Sequence, residues 1–239
     1  MEKGLSISQL NKLGERLRKG QASDDDLRAL NTFRLSFAAS CDQVAHELNK
    51  LGLEPASRPA KSTASIIAKL NRERSRLSKM QDIAGCRVEV DNIARQDRAV
   101  KDIVAKFPDA VEYDRRQKPS HGYRAVHLVV DLHGFLVEIQ VRTSLQHGWA
   151  SAVESLADRI DPDIKYGGGP EGLQHQLLNL ANAIAGLEET ENLLNDFHER
   201  GQVSPETDGL EAEVRRFKKD LQEALERTII LEEETARKP

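Results

Sequence analysis

Glu138, Gln140 and Arg142 recur at every second position of a segment whose alternate positions, Phe135, Val137, Ile139 and Val141, are apolar. Successive side chains of an extended strand point to opposite faces. This spacing therefore lines up a carboxylate, an amide and a guanidinium above an apolar underside. The preceding segment offers Tyr123, Ala125, His127 and Val129 at the same period, so a phenol ring and an imidazole can lie beside Glu138. Asp82 leads into a third extended segment that contains Gly85 and Arg87. Carboxylates at a strand end and on a neighbouring strand suit Mg²⁺ held against a nucleoside triphosphate, because that ion takes one or two carboxylates and fills its shell with phosphate oxygens and water. Plainer readings exist for each feature. The alternation also fits an antiparallel strand with one wet face, His127 an ordinary half-buried histidine, and Asp82 a turn or capping carboxylate.

These side chains need elements to place them. Tyr123 to Leu132 and Phe135 to Arg142 read as two strands joined at His133-Gly134, and Thr143 reads as the cap of a helix carrying Leu145, Trp149, Val153 and Leu156. Ile83 to Val90 reads as a strand, Ile93 to Val104 as a helix, Val111 to Tyr113 as a short strand and Arg115 to Gly122 as a loop. Upstream, a helix is expected from Ser6 to Arg18. A second starts at Ser23 with three aspartates in its first turn and runs unbroken through Phe33, Phe37, Val44 and Leu48 to a stop at Gly52. A Pro-containing loop, Glu54 to Ala60, precedes a helix from Ser62 to about Arg76. Downstream of the breakers at Asp161-Pro162 and Gly167 to Pro170 come two long helices, about 171–198 and 206–234. Their apolar stripes are Leu173, Leu177, Leu180, Ile184 and Leu187, and Leu210, Val214, Phe217, Leu221 and Leu225. The division expected is an N-terminal helical region, 1–53, a sheet domain, 54–160, and a C-terminal helical extension, 171–239.

Composition limits the classes. With 38% hydrophobic, 31% charged and 4% aromatic residues the chain is polar and helix-leaning, and no apolar run reaches the ~18 residues of a membrane span. Two cysteines, Cys41 and Cys86, make no disulfide framework. A soluble, cytoplasmic protein is expected. The net charge of −4 conceals a basic block: Arg58 to Lys79 holds seven cations against one anion, Glu73, whereas Glu188 onward holds 15 acids against 8 bases. A basic block in an acidic chain is either a face for a phosphate-bearing partner or a solvated helix surface.

Four segments together resemble a family. Gln81-Asp82-Ile83-Ala84-Gly85-Cys86-Arg87-Val88, His121-Gly122-Tyr123-Arg124-Ala125-Val126-His127 and Val137-Glu138-Ile139-Gln140-Val141-Arg142-Thr143 resemble the three signature segments of RelA/SpoT-type alarmone synthetases. Lys61 to Leu70 resembles the segment upstream of the first. The similarity covers about Arg58 to Glu154. Two departures are visible: Arg58 stands three residues before Lys61 where the family usually has arginine two before, and His121 stands where asparagine is common.

The resemblance implies an α/β (α+β) fold, a nucleotidyltransferase-like mixed β-sheet flanked by helices, here with helical N- and C-terminal extensions. It implies an enzyme that moves the β,γ-pyrophosphate of ATP onto the ribose 3′-hydroxyl of GDP or GTP. Asp82 and Glu138 would hold Mg²⁺, with Glu138 also receiving the hydroxyl proton. Arg58, Lys61, Lys69 and Arg87 would serve ATP, while Tyr123, His127, Gln140, Arg142, Lys118 and Arg124 would serve the acceptor. No His-Asp dipeptide occurs, so a stand-alone synthetase without hydrolase activity is expected. Two alternatives stay open: a toxin that pyrophosphorylates the 3′ end of tRNA, with Arg72 to Lys79, Arg115, Arg116 and Lys118 gripping RNA and an antitoxin as partner, and a nucleotide- or RNA-binding module without catalysis. The C-terminal helices are expected to pack internally or to form an oligomer.

Overall fold

The computed structural model describes residues 5–58, 60–202 and 204–236 and, of these, the side chains of all but Arg58 and 228–236. Helix α1 (Ile7–Arg18) starts at a reciprocal capping box between Ser6 and Gln9, and α2 (Asp24–Leu35) at one between Ser23 and Asp26. Helix α3 (Ala38–Lys50), strand β1 (Ala56–Arg58), α4 (Thr63–Glu73) and a 3₁₀ turn at Leu77–Lys79 follow. Then come β2 (Ala84–Val90), α5 (Ile93–Lys106), β3 (Val111–Asp114), β4 (Val126–Leu132) and β5 (Phe135–Thr143). Helix α6 (Ser144–Arg159), a 3₁₀ turn at Pro162–Tyr166, α7 (Glu171–Glu199) and α8 (Pro205–Ala236) complete the chain. The strands form one five-stranded mixed sheet in the order β1-β2-β5-β4-β3, flanked by helices. Strand β1 runs antiparallel to β2, with Arg58 opposite Gly85 and Ala56 opposite Arg87. Among the described residues no helix is long and apolar enough to cross a membrane.

Two compact units are distinguishable. One comprises Met1–Val88, Asp102–Glu112 and His127–Gln140; the other comprises Glu89–Lys101, Tyr113–Val126 and Val141–Pro239. The first is built on Leu13, Leu17, Leu30, Ile66, Leu70 and Ile83, with the rings of Phe33, Phe37 and Phe135 meeting edge-on at 5.2 and 5.1 Å. The second is built on Leu145, Trp149, Val153, Leu177, Ile184 and Leu225.

The helical run expected from Ser23 to Leu51 is broken. Ser36 Oγ donates to the Phe33 carbonyl at 2.6 Å, and the Phe37 amide bonds Arg34, three residues back rather than four. A hydroxyl competing for a helical carbonyl tightens the chain there, and α3 starts afresh at Ala38. Helix α4 ends at Glu73, short of Arg76, because Arg74 adopts a left-handed conformation (φ 48°). The loop expected over 54–60 contains β1, three residues that carry no period of their own. Strand β4 starts at Val126, not Tyr123. His121 and Gly122 both have positive φ, 51° and 88°, and close a two-residue turn in which Ser120 and Tyr123 exchange backbone hydrogen bonds. The wet-face reading of β5 fails as well: Glu138, Gln140 and Arg142 are 8%, 6% and 4% exposed, so both faces of that strand are covered. On α8, Val214 and Leu225 are buried but Leu210 and Phe217 lie exposed, so the stripe expected there is narrower than the sequence suggests.

Candidate active site

In the first unit, Asp82 sits just ahead of β2 and meets two ammonium groups. Lys61 Nζ donates to Oδ2 at 2.9 Å, and Lys69 Nζ lies 2.9 Å from Oδ1. The backbone sets this up: the Lys61 amide bonds the Ile83 carbonyl at 2.8 Å, and Lys69 projects from α4, whose Ile66 and Leu70 are buried. Burial would raise the pKa of Asp82, but the charge of Lys61, with Lys69 beside it, outweighs that and holds the carboxyl below its ordinary value. Oδ1 is buried and forms no hydrogen bond in this geometry. A carboxylate ionised at neutral pH, with one buried oxygen held only by an ion pair, fits a hard cation or a phosphate-bound metal.

Glu138 is fixed at both oxygens. Oε1 lies 2.8 Å from His127 Nδ1 on β4, and Oε2 accepts from Gln140 Nε2 at 2.7 Å on the same face of β5. Two contacts of this kind stop the carboxyl group from rotating and satisfy a group that would otherwise be costly to bury. Gly85 of β2 lies directly against it. A Cβ built at Gly85 would come 2.3 Å from the Glu138 carbonyl oxygen and 3.3 Å from its Cβ. The strand that Asp82 leads into therefore packs on the Glu138 backbone, and only a residue without a side chain permits that approach. Asp82 and Glu138 are the carboxylates among these residues that could hold a divalent cation.

In the second unit, Arg142 is bound to Tyr123. Its Nη2 donates to the phenol oxygen at 2.9 Å and its Cζ lies 5.0 Å from the ring centroid. A guanidinium on the ring adds to the face that a flat, polar base can stack against. The turn at His121-Gly122 aims this ring. Besides its positive φ, Gly122 is hemmed in by Trp149 Cζ2 and the Ala181 methyl, which an added Cβ would approach to 2.9 and 3.0 Å.

Of the residues predicted from sequence, the structure brings Lys61, Lys69 and Asp82 into one group, His127, Glu138 and Gln140 into a second, and Tyr123 and Arg142 into a third. Arg124 is not with Tyr123. Its guanidinium donates to the Ala181 carbonyl and to Asn182 Oδ1, both at 3.0 Å, and ties the loop to α7. Lys118 is exposed in the loop before Tyr123, and Arg87 is half-buried on β2. The backbone of Arg58 pairs with Gly85; its side chain lies outside the described residues. Sequence reasoning missed the pairing of both lysines with Asp82, the contact of Gly85 with Glu138, and a buried cluster of Gln96, Gln146 and Glu188. Only the i, i+3 step from Thr143 to Gln146, a capping-box spacing, gave any signal of that cluster. Among the described residues, three side chains of types that can ligate a metal also come together at His198, Asp208 and Glu211; the first two are exposed and Glu211 is already paired with Arg215.

Residues 58–157 match the region found in RelA / SpoT proteins, the family that the four motifs resemble. That stretch contains the groups around Asp82, Glu138 and Tyr123. Among individual relatives, the uncharacterized protein Rv1366 of Mycobacterium tuberculosis (strain ATCC 25618 / H37Rv) is 41% identical over 118 residues, 48% of this chain and 43% of that protein. The GTP pyrophosphokinase YjbM of Bacillus subtilis (strain 168) is 34% identical over 149 residues, 54% of this chain and 65% of that protein. The chain thus spans less than half the length of the mycobacterial relative. A chain from the crystal structure of the complex between the Type VI effector Tas1 and its immunity protein aligns over 92% of this chain and 99% of its own, with 15% identity and a TM-score of 0.38.

Proposed function

We propose that the chain is an ATP-dependent pyrophosphokinase whose acceptor is the ribose 3′-hydroxyl of GDP or GTP. The observation that carries this reading is the buried Glu138, held at both oxygens on β5, with the Asp82-led strand packed against it through Gly85. In the proposed step the hydroxyl oxygen bonds to the β-phosphorus of ATP, the bond from that phosphorus to the α,β-bridging oxygen breaks, and AMP leaves. The hydroxyl proton goes to Glu138, whose orientation His127 and Gln140 hold. Lys61 and Lys69 supply positive charge that exchanges from Asp82 to the triphosphate when it arrives. Tyr123 and Arg142 receive the acceptor base, whose stacking contributes ~1–3 kcal/mol. Mg²⁺, held by Asp82 and Glu138, would neutralise phosphate oxygens as charge spreads over them.

A second reading has one observation in its favour. Arg72 in the last turn of α4 and Arg74, Arg76 and Lys79 beyond it are all exposed, a longer basic run than a free nucleotide needs and one that suits an RNA backbone. Under that reading the acceptor is the 3′ end of tRNA, and an antitoxin protein is the expected partner. Purified protein incubated with γ-labelled ATP and Mg²⁺, with GDP, GTP or bulk tRNA offered separately, decides between them. Label in GDP or GTP supports the first reading and label in tRNA the second. Label in none of the three leaves a binding module and overturns both.

A further inference from the structure

Arg142 sits between two backbone positions that are gripped from the side by buried polar groups. Before it, Gln96 Nε2 of α5 donates to the Val141 carbonyl at 2.8 Å. After it, Gln146 Oε1 accepts from the Thr143 amide at 3.3 Å, and the Thr143 hydroxyl donates to Glu188 Oε1 of α7. The three side chains are joined to one another: Gln96 Nε2 donates to Gln146 Oε1 at 2.9 Å, and Gln146 Nε2 to Glu188 Oε2 at 3.1 Å. They are 0%, 4% and 3% exposed.

We propose that Gln96, Gln146 and Glu188 are positioning residues for the acceptor side: they lock the strand-to-helix junction at Val141–Thr143 and so hold Arg142 on Tyr123. Capping α6 requires only Thr143 and Gln146, which make the capping box by themselves. Gln96 and Glu188 extend the network to α5 and α7 and add the bond on the far side of Arg142, where no helix end needs one. Burying an amide and a carboxyl group costs free energy unless each is paired, and an apolar cluster would pack this junction without that demand. Directional bonds do what apolar packing does not. They fix the rotation of the backbone from which a long, flexible guanidinium projects, and Arg142 meets the phenol oxygen at 2.9 Å only if that rotation is held.

This inference rests on the reading of Tyr123 and Arg142 as the acceptor side, so its test has one arm that needs no turnover. In the first arm, the Arg142 Nε–H signal in ¹⁵N-arginine spectra, assigned by its absence in Arg142→Lys, is compared between the parent and Glu188→Leu. A sharp signal in the parent that broadens or shifts in the variant is expected. In the second arm, initial rates are measured for whichever of GDP, GTP or tRNA the parent labels. Glu188→Leu should raise the acceptor KM by about tenfold and leave the ATP KM within about twofold. Glu188→Gln keeps an oxygen for the Thr143 hydroxyl and should recover part of the loss. If Glu188→Leu does not fold, Gln96→Met, which removes the bond to Val141 at nearly constant volume, is read in the same two ways. A folded variant with an unchanged Arg142 signal and unchanged acceptor KM overturns the proposal, as does a fall in kcat with both KM values unchanged. A parent that transfers label to no acceptor sinks the functional reading instead, and the spectra still judge the clamp.

Discussion

Glu138 has one oxygen facing an imidazole and the other an amide, so its two candidate roles, proton acceptor and oxygen donor to a cation, depend on a single charge rather than on shape. Glu138→Gln keeps the shape and removes that charge. It is expected to fold like the parent by circular dichroism and to lose ~10²–10⁴-fold in label transfer from γ-labelled ATP, the range of a general base. Turnover equal to the parent's would remove Glu138 from the chemistry. The period-2 alternation made Glu138, Gln140 and Arg142 legible in the sequence, because strand geometry forces such residues onto one face. The lysine pairing on Asp82 was not legible. Lys61 and Lys69 lie 21 and 13 positions from it, and no local spacing rule connects a helix residue with a carboxylate across a loop. Nor was the bond from Arg124, the motif position next to Tyr123, to α7 legible.

Elements transmit what residues need. Strand β2 lies against β5 at a distance that only Gly85 allows, so Gly85→Ala must push the Glu138 carbonyl away or tilt the strand. Overpacking of this kind costs ~1–3 kcal/mol. It is expected to lower the urea midpoint by a corresponding amount and to reduce label transfer further than the lost stability explains. Activity at the parent's level would show that β2 and β5 tolerate separation. Helix α7 contributes a different dependence. Burial pushes the pKa of Glu188 above its ordinary 4.5, despite hydrogen bonds from Thr143 and Gln146 and the charge of Lys218, with Glu191 adding to the rise. The folded state therefore binds more protons than the unfolded chain between 4.5 and the raised value. Stability from this group falls as pH rises through that window. Several other carboxyls, Asp82 and Asp114 among them, shift the opposite way, so the comparison must be between proteins rather than along one curve. The parent-minus-Glu188→Gln difference in thermal midpoint is expected to become more negative with rising pH; a flat difference would contradict the raised value. At this scale the sequence was readable wherever capping chemistry announced an end, as at Ser6, Ser23 and Thr143. It was unreadable where a single side chain overrode the pattern: the Ser36 hydroxyl splits α2 from α3, and left-handed Arg74 ends α4 early.

For the molecule as a whole, the C-terminal helices are expected from sequence to pack internally or to form an oligomer. Within the second unit they pack as part of the core that α6 needs. Leu225 of α8 is 5% exposed and its Cδ1 comes within 3.0 Å of where a side chain at Gly148 would begin. Trp149 Nε1 donates to the Leu177 carbonyl of α7 at 3.0 Å, and Lys218 joins α8 to Glu191 at 2.8 Å and to the Asp91 carbonyl at 2.6 Å. The two faces of α8 thus make opposite predictions. Leu225→Ala empties a packed site and should cost ~2–5 kcal/mol, whereas Phe217→Ala, at a ring 56% exposed, should stay within about 0.5 kcal/mol of the parent. Urea unfolding of the two variants measures both. The comparison also tests the chemistry, because Thr143, one residue after Arg142, is the N-cap of α6. A loosened α8 is therefore expected to weaken acceptor use before ATP use, with the acceptor KM rising in Leu225→Ala and not in Phe217→Ala. Equal stability losses in the two variants would return α8 to the status of an appendage.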